Sequence, residues 1–291
     1  MKILLLGKTG QLGWELQRSL QPLGEVAAFD YPEIDLANAA SLRGMVRQQR
    51  PELIVNATAY TAVDKAESES ELAHAINAVG PGVLAEEARN LNAVLIHYST
   101  DYVFDGAKGQ PYVESDAPNP LSVYGQSKLA GEQAILAVGG AYLILRTAWV
   151  YSTRRDSFVA KVLQWSRKNE NLKIVSDQVS NPTWARMLAE MTGLLLAQSG
   201  PDRAAYFNEK RGVYHLAGSG TASRFEWAQR ILENDPQKSE QIVRSLEPAA
   251  TADFPTPAQR PLFSALDCAL FEQTFGLRLP DWQSALRLAM G

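Results

Sequence analysis

The sequence predicts an α/β fold in which a doubly wound parallel sheet is followed by a smaller C-terminal lobe. An apolar segment at residues 2–6 leads directly into a glycine-rich loop at residues 7–13. Strand-like and helix-like segments then alternate as far as about residue 150. Such alternation is typical of a parallel sheet with right-handed crossovers and helices on both faces.

The predicted elements follow the apolar pattern along the chain. The glycine loop opens an amphipathic helix that runs to about residue 20, and residues 25–29 form a second strand that ends at Asp30. The remaining elements are a helix at 38–49, a third strand at 53–55, a helical stretch over about 68–91, a fourth strand at 94–99, a helix that carries Tyr124 and Lys128, and a fifth strand at 142–145.

The regular alternation fades after about residue 150. A chain of 291 residues is long enough for one large domain with a smaller lobe. We therefore expect residues 1–150 to form the sheet domain, and residues 151–291 to form mainly a C-terminal lobe that does not fold independently. The prolines that divide this second part into short segments are Pro182, Pro201, Pro236, Pro248, Pro255, Pro257 and Pro261.

Composition and charge exclude several classes of protein. Hydrophobic residues make up 46% and charged residues 21%, an ordinary soluble globular balance. The net charge is −4 without a long basic run, which argues against a nucleic-acid partner. The first apolar run ends at Gly7 and no segment approaches about 18 uninterrupted apolar residues, so we expect neither a secretion signal nor a membrane span. Cys268 is the only cysteine, which excludes an intrachain disulfide and fits a cytoplasmic protein.

The loop at residues 7–13 has the form G-x-x-G-x-x-G, with Gly7, Gly10 and Gly13 at the fixed positions. Glycines in such a loop allow a tight turn and bring the backbone close to a pyrophosphate at the helix N-terminus. Asp30 lies 17 residues beyond Gly13, where a carboxylate can accept hydrogen bonds from adenosine ribose hydroxyls. Residues 1–150 are therefore predicted to form a Rossmann-like dinucleotide-binding domain.

Two residues give conflicting indications about which nicotinamide nucleotide would bind. Asp30 would repel the 2′-phosphate of NADPH, whereas Lys8 inside the loop could attract it. The sequence therefore leaves NADH and NADPH both open and modestly favours NADH.

Tyr124 and Lys128 are the candidate catalytic pair. Their spacing of four residues places both side chains on one face of a helix, and Ser99-Thr100-Asp101 ends the strand before it. A phenol beside an ammonium is a proton donor whose pKa we expect to fall toward the working pH. With a nicotinamide nucleotide bound, such a pair would supply the proton in the reduction of a carbonyl group.

Further strings extend over essentially the whole chain. They are Gly-Lys-Thr-Gly-Gln-Leu-Gly-Trp-Glu-Leu (7–16), Ala-Val-Asp-Lys-Ala-Glu (62–67), Ser-Thr-Asp-Tyr-Val-Phe-Asp-Gly (99–106), Pro-Leu-Ser-Val-Tyr-Gly-Gln-Ser-Lys-Leu-Ala-Gly-Glu (120–132), Arg-Thr-Ala-Trp-Val-Tyr (146–151) and Pro-Thr-Pro-Ala-Gln-Arg-Pro (255–261). With them the chain resembles the extended short-chain dehydrogenase/reductase superfamily and, more narrowly, its dTDP-4-dehydrorhamnose reductase family. The glycine loop is common to the superfamily, whereas the strings at 62–67 and 99–106 point to the reductase branch.

The resemblance implies reduction of the 4-keto group of dTDP-4-dehydro-L-rhamnose, a dTDP-linked 4-keto-6-deoxy sugar, to dTDP-L-rhamnose. Tyr124 would donate a proton to the carbonyl oxygen, Lys128 would hold the nicotinamide ribose and lower the pKa of Tyr124, and Thr100 would orient the substrate oxygen. Other implied contacts are Asp101 and Trp149 to the sugar nucleotide, Arg260 to its diphosphate, Gly10, Gln11 and Leu12 to the cofactor pyrophosphate, Asp35 and Leu36 to adenine, and Ala59, Tyr60 and Thr61 along the cofactor.

Structural alternatives stay open for three of these residues. Thr100 could make a local hydrogen bond at the strand end, Trp149 could pack in a core, and Arg260 could form a surface ion pair.

One departure from the family pattern concerns magnesium. Some bacterial members of the family bind this ion through glutamates at a dimer interface. Here Glu15 is retained, but Arg186 occupies the second glutamate position. We therefore expect no magnesium site and a direct ion pair between Glu15 and Arg186, while a homodimer stays open.

Two other functions compete with the reductase. One is an epimerase or dehydratase of the same superfamily, although a dehydratase needs a second acid beside the threonine and only Asp101 follows Thr100. The other is a non-catalytic regulatory subunit of this fold, such as the beta subunit of methionine adenosyltransferase. Intact Tyr124, Lys128 and Thr100 argue against a regulatory subunit.

Overall fold

The computed structural model describes residues 1–291, and its largest sheet has six parallel strands. The strands of the chain are β1 (Lys2–Leu6), β2 (Glu25–Phe29), β3 (Leu53–Asn56), β4 (Val94–Thr100), β5 (Tyr142–Thr147), β6 (Val150–Tyr151), β7 (Asn171–Val175), β8 (Val179–Ser180), β9 (Thr183–Trp184), β10 (Gly212–His215), β11 (Ala222–Ser223) and β12 (Ser245–Ala249). The six-stranded sheet has the order β10-β5-β4-β3-β1-β2. The chain therefore winds outward from β1 in both directions.

Helices cover both faces of this sheet. They are α1 (Gln11–Leu20), α2 (Ala39–Gln49), α3 (Val63–Ala66), α4 (Ser70–His74), α5 (Gly80–Leu91), α6 (Val123–Val138), α7 (Phe158–Ser166), α8 (Ala185–Gln198), α9 (Arg203–Glu209), α10 (Arg224–Glu233), α11 (Ala269–Phe275) and α12 (Trp282–Met290). The predicted fold class is confirmed, and the five predicted strands are observed with ends that differ by at most two residues. None of the helices is both long and apolar enough to cross a membrane.

The two faces of the sheet carry separate hydrophobic cores, because successive side chains of a strand point to opposite faces. In β1, Ile3 and Leu5 belong to a cluster of 23 buried residues that also contains side chains of α1, α8 and α11. Leu4 and Leu6 belong to a second cluster of 16 residues, which they share with α2, α5 and α6. The continuous apolar run of β1 thus reflects burial on both faces.

Residues beyond 150 contribute to both parts of the molecule. β10 pairs with β5 at one edge of the large sheet, and α8 packs against α1. A third core of 12 buried residues, centred on Trp227 with Tyr151 and Trp282 around it, forms the C-terminal lobe. Residues beyond 150 therefore belong partly to the sheet domain, because β10 covers the edge of β5 and α8 covers the apolar face of α1.

The helical stretch predicted over about 68–91 is divided by one π-helical turn at Ala75–Val79. Within this turn the buried Asn77 side chain accepts a hydrogen bond from the Tyr60 amide at 2.8 Å and donates to the Tyr60 carbonyl at 3.1 Å and to the Ser127 hydroxyl at 3.0 Å. Asn77 thereby ties the loop after β3 to helix α6. Both of these elements border the candidate site.

Candidate active site

The glycine loop joins β1 to α1 in a turn that only glycine fits at two positions. Gly7 has φ +93°, and a Cβ added there would lie 2.8 Å from the Ala57 carbonyl oxygen. A Cβ at Gly13 would lie 1.9 Å from the Gly7 carbonyl oxygen, since the first turn of α1 rests directly on the loop. The loop and the helix therefore meet with no room for a side chain.

The N-terminus of α1 is suited to an anion. Its N-cap is Gly10, and no side chain accepts a hydrogen bond from the first amides of the helix. These amides and the positive end of the helix dipole face a cavity of about 520 Å³ between the loop and α6. The Gln11 Oε1 and Thr147 Oγ1 atoms belong to residues lining this cavity, and both are buried without a protein partner. The cavity therefore offers backbone and side-chain polar groups to a dinucleotide.

The cavity brings together most of the predicted cofactor residues. Those that line it are Gly7, Gly10, Gln11, Leu12, Asp30, Ala59, Thr61, Tyr124 and Lys128. Sequence reasoning missed other lining residues, including Thr9, Thr58, Tyr98, Ser99, Thr147 and Arg155. The position of Thr9 inside the glycine loop could have indicated its role. Arg155 follows a two-residue strand, and no motif marks it.

Four predicted cofactor residues do not line the cavity. Gly13 is covered by the Gly7 carbonyl, and Leu36 is buried in the second core cluster. Asp35 accepts a hydrogen bond from the Ala37 amide at 2.9 Å. The Tyr60 hydroxyl turns away to donate to Glu69 at 2.5 Å. Local partners hold the side chains of Asp35, Leu36 and Tyr60 away from this cavity, and their contacts with the cofactor stay predictions.

Asp30 and Lys8 each have a protein partner at the rim. Asp30 Oδ2 accepts hydrogen bonds from the Thr9 amide at 2.9 Å and from the Thr9 hydroxyl at 2.6 Å. The Lys8 ammonium lies 2.5 Å from a carboxylate oxygen of Glu33, and hydrogen bonding to it holds the pKa of Glu33 below its usual value. The carboxylate of Asp30 is thus fixed in the cavity, and the charge of Lys8 is largely compensated.

Tyr124 lies in the first turn of α6, which begins where Ser122 accepts a hydrogen bond from the Gly125 amide. Its ring packs edge-on against Tyr102 with centroids 5.6 Å apart. Burial raises the pKa of the phenol well above its usual value, and interaction with the Thr100 hydroxyl opposes part of this rise. The expectation of a lowered pKa is therefore wrong for the cofactor-free protein, in which the phenol stays protonated.

Lys128 lies one helical turn further on and is almost completely buried. Its Nζ donates to the Tyr98 carbonyl at 2.6 Å and lies 3.2 Å from His97 Nε2. Burial lowers the pKa of Lys128 to about 8, and the negative charge of Glu132 partly opposes this effect. The amine thus faces strand β4, where its hydrogen-bond partners lie.

Thr100 and Asp101 end β4 beside this pair, but neither lines the cavity. The Thr100 hydroxyl accepts from the Tyr102 amide at 3.2 Å and donates to Asp101 at 3.1 Å, which matches the local strand-end role left open above. The buried Asp101 carboxylate also accepts from Ser180 at 3.0 Å and Ser264 at 2.5 Å. Burial raises its pKa, and these hydroxyls oppose the rise. In the ligand-free protein the Asp101 carboxylate thus has three internal hydrogen bonds, and its contact with the sugar nucleotide stays a prediction.

A second cavity of about 280 Å³ contains the predicted Arg260 and an arginine that the sequence did not indicate, Arg224. Arg260 lies 2.8 Å from Asp64 and interacts with the Tyr102 hydroxyl, which shifts the pKa of that phenol downward against the effect of burial. Arg224 stacks on Trp149 at 3.6 Å, and burial lowers its pKa to about 10. The second cavity therefore remains cationic at neutral pH, and Tyr102 connects it to Tyr124.

Trp149 lines neither cavity. Its ring is stacked on Trp227 with centroids 5.5 Å apart, in the core of the C-terminal lobe, and its backbone has φ +42°. The ring thus packs in a core, and its contact with the sugar nucleotide stays a prediction. Trp149 also stacks against Arg224, which lines the second cavity.

A buried ion pair connects helix α6 to strand β5. Arg146 of β5 donates two hydrogen bonds to Glu132 of α6 at 2.9 and 2.6 Å, and the Ser99 hydroxyl donates to the same carboxylate at 2.5 Å. All three side chains are at most 5% exposed. The network fixes α6 against the carboxyl ends of β4 and β5, where ligands bind in open α/β sheets.

Glu15 and Arg186, the residues considered for magnesium, do not form the direct ion pair that the sequence predicted. Helices α1 and α8 do meet, but Arg186 pairs with Glu190 one turn further along its own helix, at 2.9 Å. The predicted direct pair of Glu15 with Arg186 is therefore wrong, because the helical i,i+4 neighbour is the better placed partner. Glu15 acts on Arg186 only through its charge.

A doubly wound sheet with a glycine loop at its first crossover, and a Tyr-x-x-x-Lys helix across the cavity, defines an extended short-chain dehydrogenase/reductase. Within this class the comparison with known sequences is specific. The model of the RmlD substrate binding domain family matches residues 1–290, and the chain belongs to this family of dTDP-4-dehydrorhamnose reductases.

Individual relatives match this chain over at least 96% of their own length. The dTDP-4-dehydrorhamnose reductase of Escherichia coli K12 is 43% identical over 294 residues, which cover 99% of this chain and 96% of the relative. The crystal structure of a dTDP-4-dehydrorhamnose reductase from Clostridium acetobutylicum superposes with a TM-score of 0.91 at 34% identity, covering 100% of this chain and 98% of that one. The reductase from Bacillus anthracis, solved in complex with NADP, has a TM-score of 0.88 at 32% identity and covers 99% and 98% of the two chains.

The buried ion pair gives a prediction about stability. Replacing Glu132 with Gln leaves the Arg146 guanidinium buried without its counter-charge, so we expect the free energy of unfolding to fall by about 3–5 kcal/mol. The matched control is Glu190→Gln, which breaks the exposed pair with Arg186 and should cost less than about 1 kcal/mol. Urea denaturation of both variants measures the difference. Equal losses in the two variants would contradict the structural role of the Glu132–Arg146 pair.

Proposed function

We propose that this protein reduces the C4 keto group of dTDP-4-dehydro-L-rhamnose to give dTDP-L-rhamnose, with a reduced nicotinamide nucleotide as the hydride donor. The observation that carries the proposal is the position of Tyr124 and Lys128 in one cavity with the glycine loop. Family membership over the full chain supports the same substrate. Fold alone would not distinguish this reaction from others of the superfamily.

The cofactor would be held by residues of this cavity. Gly10, Gln11 and Leu12 would present backbone amides to the pyrophosphate, and Asp30 would accept hydrogen bonds at the adenosine ribose. When bound, the reduced nicotinamide supplies the hydride that converts the C4 ketone to an alcohol. Lys128 lines the same cavity, and an N–H of its amine that is not bonded to the Tyr98 carbonyl would donate to hydroxyls of the nicotinamide ribose.

Tyr124 would supply the proton that the reduced carbonyl oxygen takes up. Its raised pKa keeps the phenol protonated near neutral pH, which is the state that an acid requires. Thr100 lies within interaction range of this phenol and could exchange its bond to Asp101 for one to the substrate oxygen. Burial of both groups excludes competing water from the proton transfer.

The nucleotide diphosphate of the substrate would bind in the second cavity. Arg224 and Arg260 provide two guanidinium groups there, and a guanidinium fork suits phosphate oxygens. Phe158 and Trp165 line the same cavity and offer aromatic faces to a base. Since Tyr102 contacts Tyr124 on one side and Arg260 on the other, a sugar between the two cavities would lie at the proton donor.

The role of Tyr124 can be tested by removing only its hydroxyl. We expect Tyr124→Phe to lower kcat by about 10² to 10⁴-fold, because general acid catalysis is typically worth that much, and to leave substrate affinity nearly unchanged. The control is Tyr112→Phe, which removes a hydroxyl bonded to Asp105 elsewhere in the molecule and should retain its kcat. A Tyr124→Phe enzyme within threefold of the wild-type kcat would contradict the assignment.

Cofactor preference should depend on Asp30 and on the state of Lys8. We propose that both nucleotides are used and that NADH is preferred, since Glu33 compensates the charge of Lys8 while Asp30 remains in the cavity. Asp30→Ala should shift the ratio of kcat/KM toward NADPH by removing repulsion of the 2′-phosphate. Glu33→Gln should shift it the same way by freeing Lys8, and Lys8→Ala should shift it toward NADH. An unchanged ratio in all three variants would show that these residues do not set the preference.

We also propose that the enzyme needs no magnesium, because Arg186 occupies the position where the family resemblance would place a second glutamate ligand, and it is paired with Glu190. Activity and any homodimer should then survive chelation. Dialysis against EDTA, followed by the reductase assay and sizing chromatography, tests both properties. Loss of rate or of assembly that magnesium restores would refute the proposal.

A further inference from the structure

A line of buried hydrogen bonds runs from the cavity wall to the amine of Lys128. Thr58 lines the cavity, and its amide and hydroxyl donate to Asn56 Oδ1 at 3.1 and 2.5 Å. The Asn56 Nδ2 atom lies 3.0 Å from His97 Nδ1, and His97 Nε2 lies 3.2 Å from Lys128 Nζ. Asn56 and His97 are completely buried, so water cannot replace any of these contacts.

The direction of each hydrogen bond follows from one backbone amide. The Thr58 N–H can only donate, which identifies the facing atom of Asn56 as its oxygen. The amide nitrogen of Asn56 is then the group next to His97, and it can only donate, so His97 Nδ1 must accept. Burial lowers the pKa of His97 well below its usual value, which leaves the ring neutral with its single proton on Nε2.

This assignment places two hydrogen-bond donors opposite each other. His97 Nε2–H points at Lys128 Nζ, and an ammonium has no lone pair to accept it. A neutral amine can accept this N–H while donating to the Tyr98 carbonyl at 2.6 Å on its other side. The surroundings therefore favour the neutral form of Lys128 more than burial alone would.

We propose that His97 is a positioning residue for Lys128: Asn56 holds the imidazole as its Nε2–H tautomer, and this N–H is directed at the catalytic amine. The inference deepens the proposed reductase function, since it assigns to a residue outside the Tyr-x-x-x-Lys motif control over the charge of Lys128. His97 itself does not line either cavity and so acts only through Lys128.

The other ionisable groups around Lys128 do not account for its preference for the neutral form. On the same helix, Glu132 favours the ammonium, but Arg146 of β5 neutralises it through two hydrogen bonds. Tyr124 is uncharged, and Asp101 acts on Tyr124. The pKa of Lys128, lowered to about 8, thus reflects burial in a wall where the neutral His97 lies 3.2 Å from Nζ.

The tautomer can be measured directly in the cofactor-free protein. Long-range ¹H–¹⁵N spectra of histidine-labelled protein distinguish the two neutral tautomers, and the chain has only three histidines. We expect the Nε2–H form for His97. His215 is an internal contrast, because its Nδ1 lies 3.0 and 3.1 Å from the carbonyls of Tyr112 and Asp267 and must donate to them. A His97 signal of the Nδ1–H form, or of a doubly protonated ring near neutral pH, would overturn the proposal.

The effect on Lys128 is tested with His97→Asn. The shorter amide can keep the acceptor for Asn56, but it removes the N–H that faces Lys128 and admits a water that can accept from the ammonium. We expect the pKa of Lys128, followed by ε-¹³C lysine NMR and assigned with Lys128→Met, to be about one pH unit higher than in the wild type. His74→Asn is the control and should leave the titration of Lys128 unchanged.

An unchanged pKa of Lys128 in His97→Asn would contradict the proposal. Should this variant fail to fold, the tautomer of the wild-type protein still decides the question. Both measurements use neither substrate nor cofactor. A failure of the reductase assignment would therefore appear in turnover assays and leave these results unaffected.

Discussion

Helix α6 is held to the sheet by polar side chains at successive turns of one face, and the site depends on this attachment. Lys128 donates to the Tyr98 carbonyl at the end of β4, and Glu132 accepts two hydrogen bonds from Arg146 of β5. Tyr124, one turn before Lys128, consequently lies in the cavity beside the glycine loop. Since buried polar groups need partners, the helix cannot slide or rotate without leaving several of them unsatisfied.

The same burial determines the chemistry of the pair. It raises the pKa of Tyr124 and lowers the pKa of Lys128 to about 8. The cofactor-free site therefore contains a protonated phenol and an amine that gains or loses its proton near pH 8. The groups that stabilise negative charge are Arg224 and Arg260, which line the second cavity. The molecule thus separates the buried phenol and amine of the first cavity from the two guanidinium groups of the second cavity.

Local sequence patterns predicted the strands and the glycine loop. They could not predict which residues distant in sequence would pair or form hydrogen bonds. The apolar runs and the glycine loop predicted the strands and the crossover because burial on both faces and tight turns constrain nearby residues directly. The sequence could not show that β10 completes the sheet or that serines from the C-terminal half bind Asp101. It also gave the wrong direction for the pKa of Tyr124, since burial outweighs a neighbouring amine that is turned toward β4.

The reaction proposed for this site is the transfer of hydride to C4 of a dTDP-linked 4-keto sugar, with Tyr124 as the proton donor. The most direct measurement supplies dTDP-4-dehydro-L-rhamnose with NADH or NADPH deuterated at the transferred position, and then analyses the product by NMR and mass spectrometry. The account predicts dTDP-L-rhamnose with one deuterium at C4 and one equivalent of cofactor oxidised. A product without deuterium at C4 would contradict hydride transfer to that carbon. A sugar altered without net oxidation of the cofactor would also contradict the reductase function and indicate an epimerase.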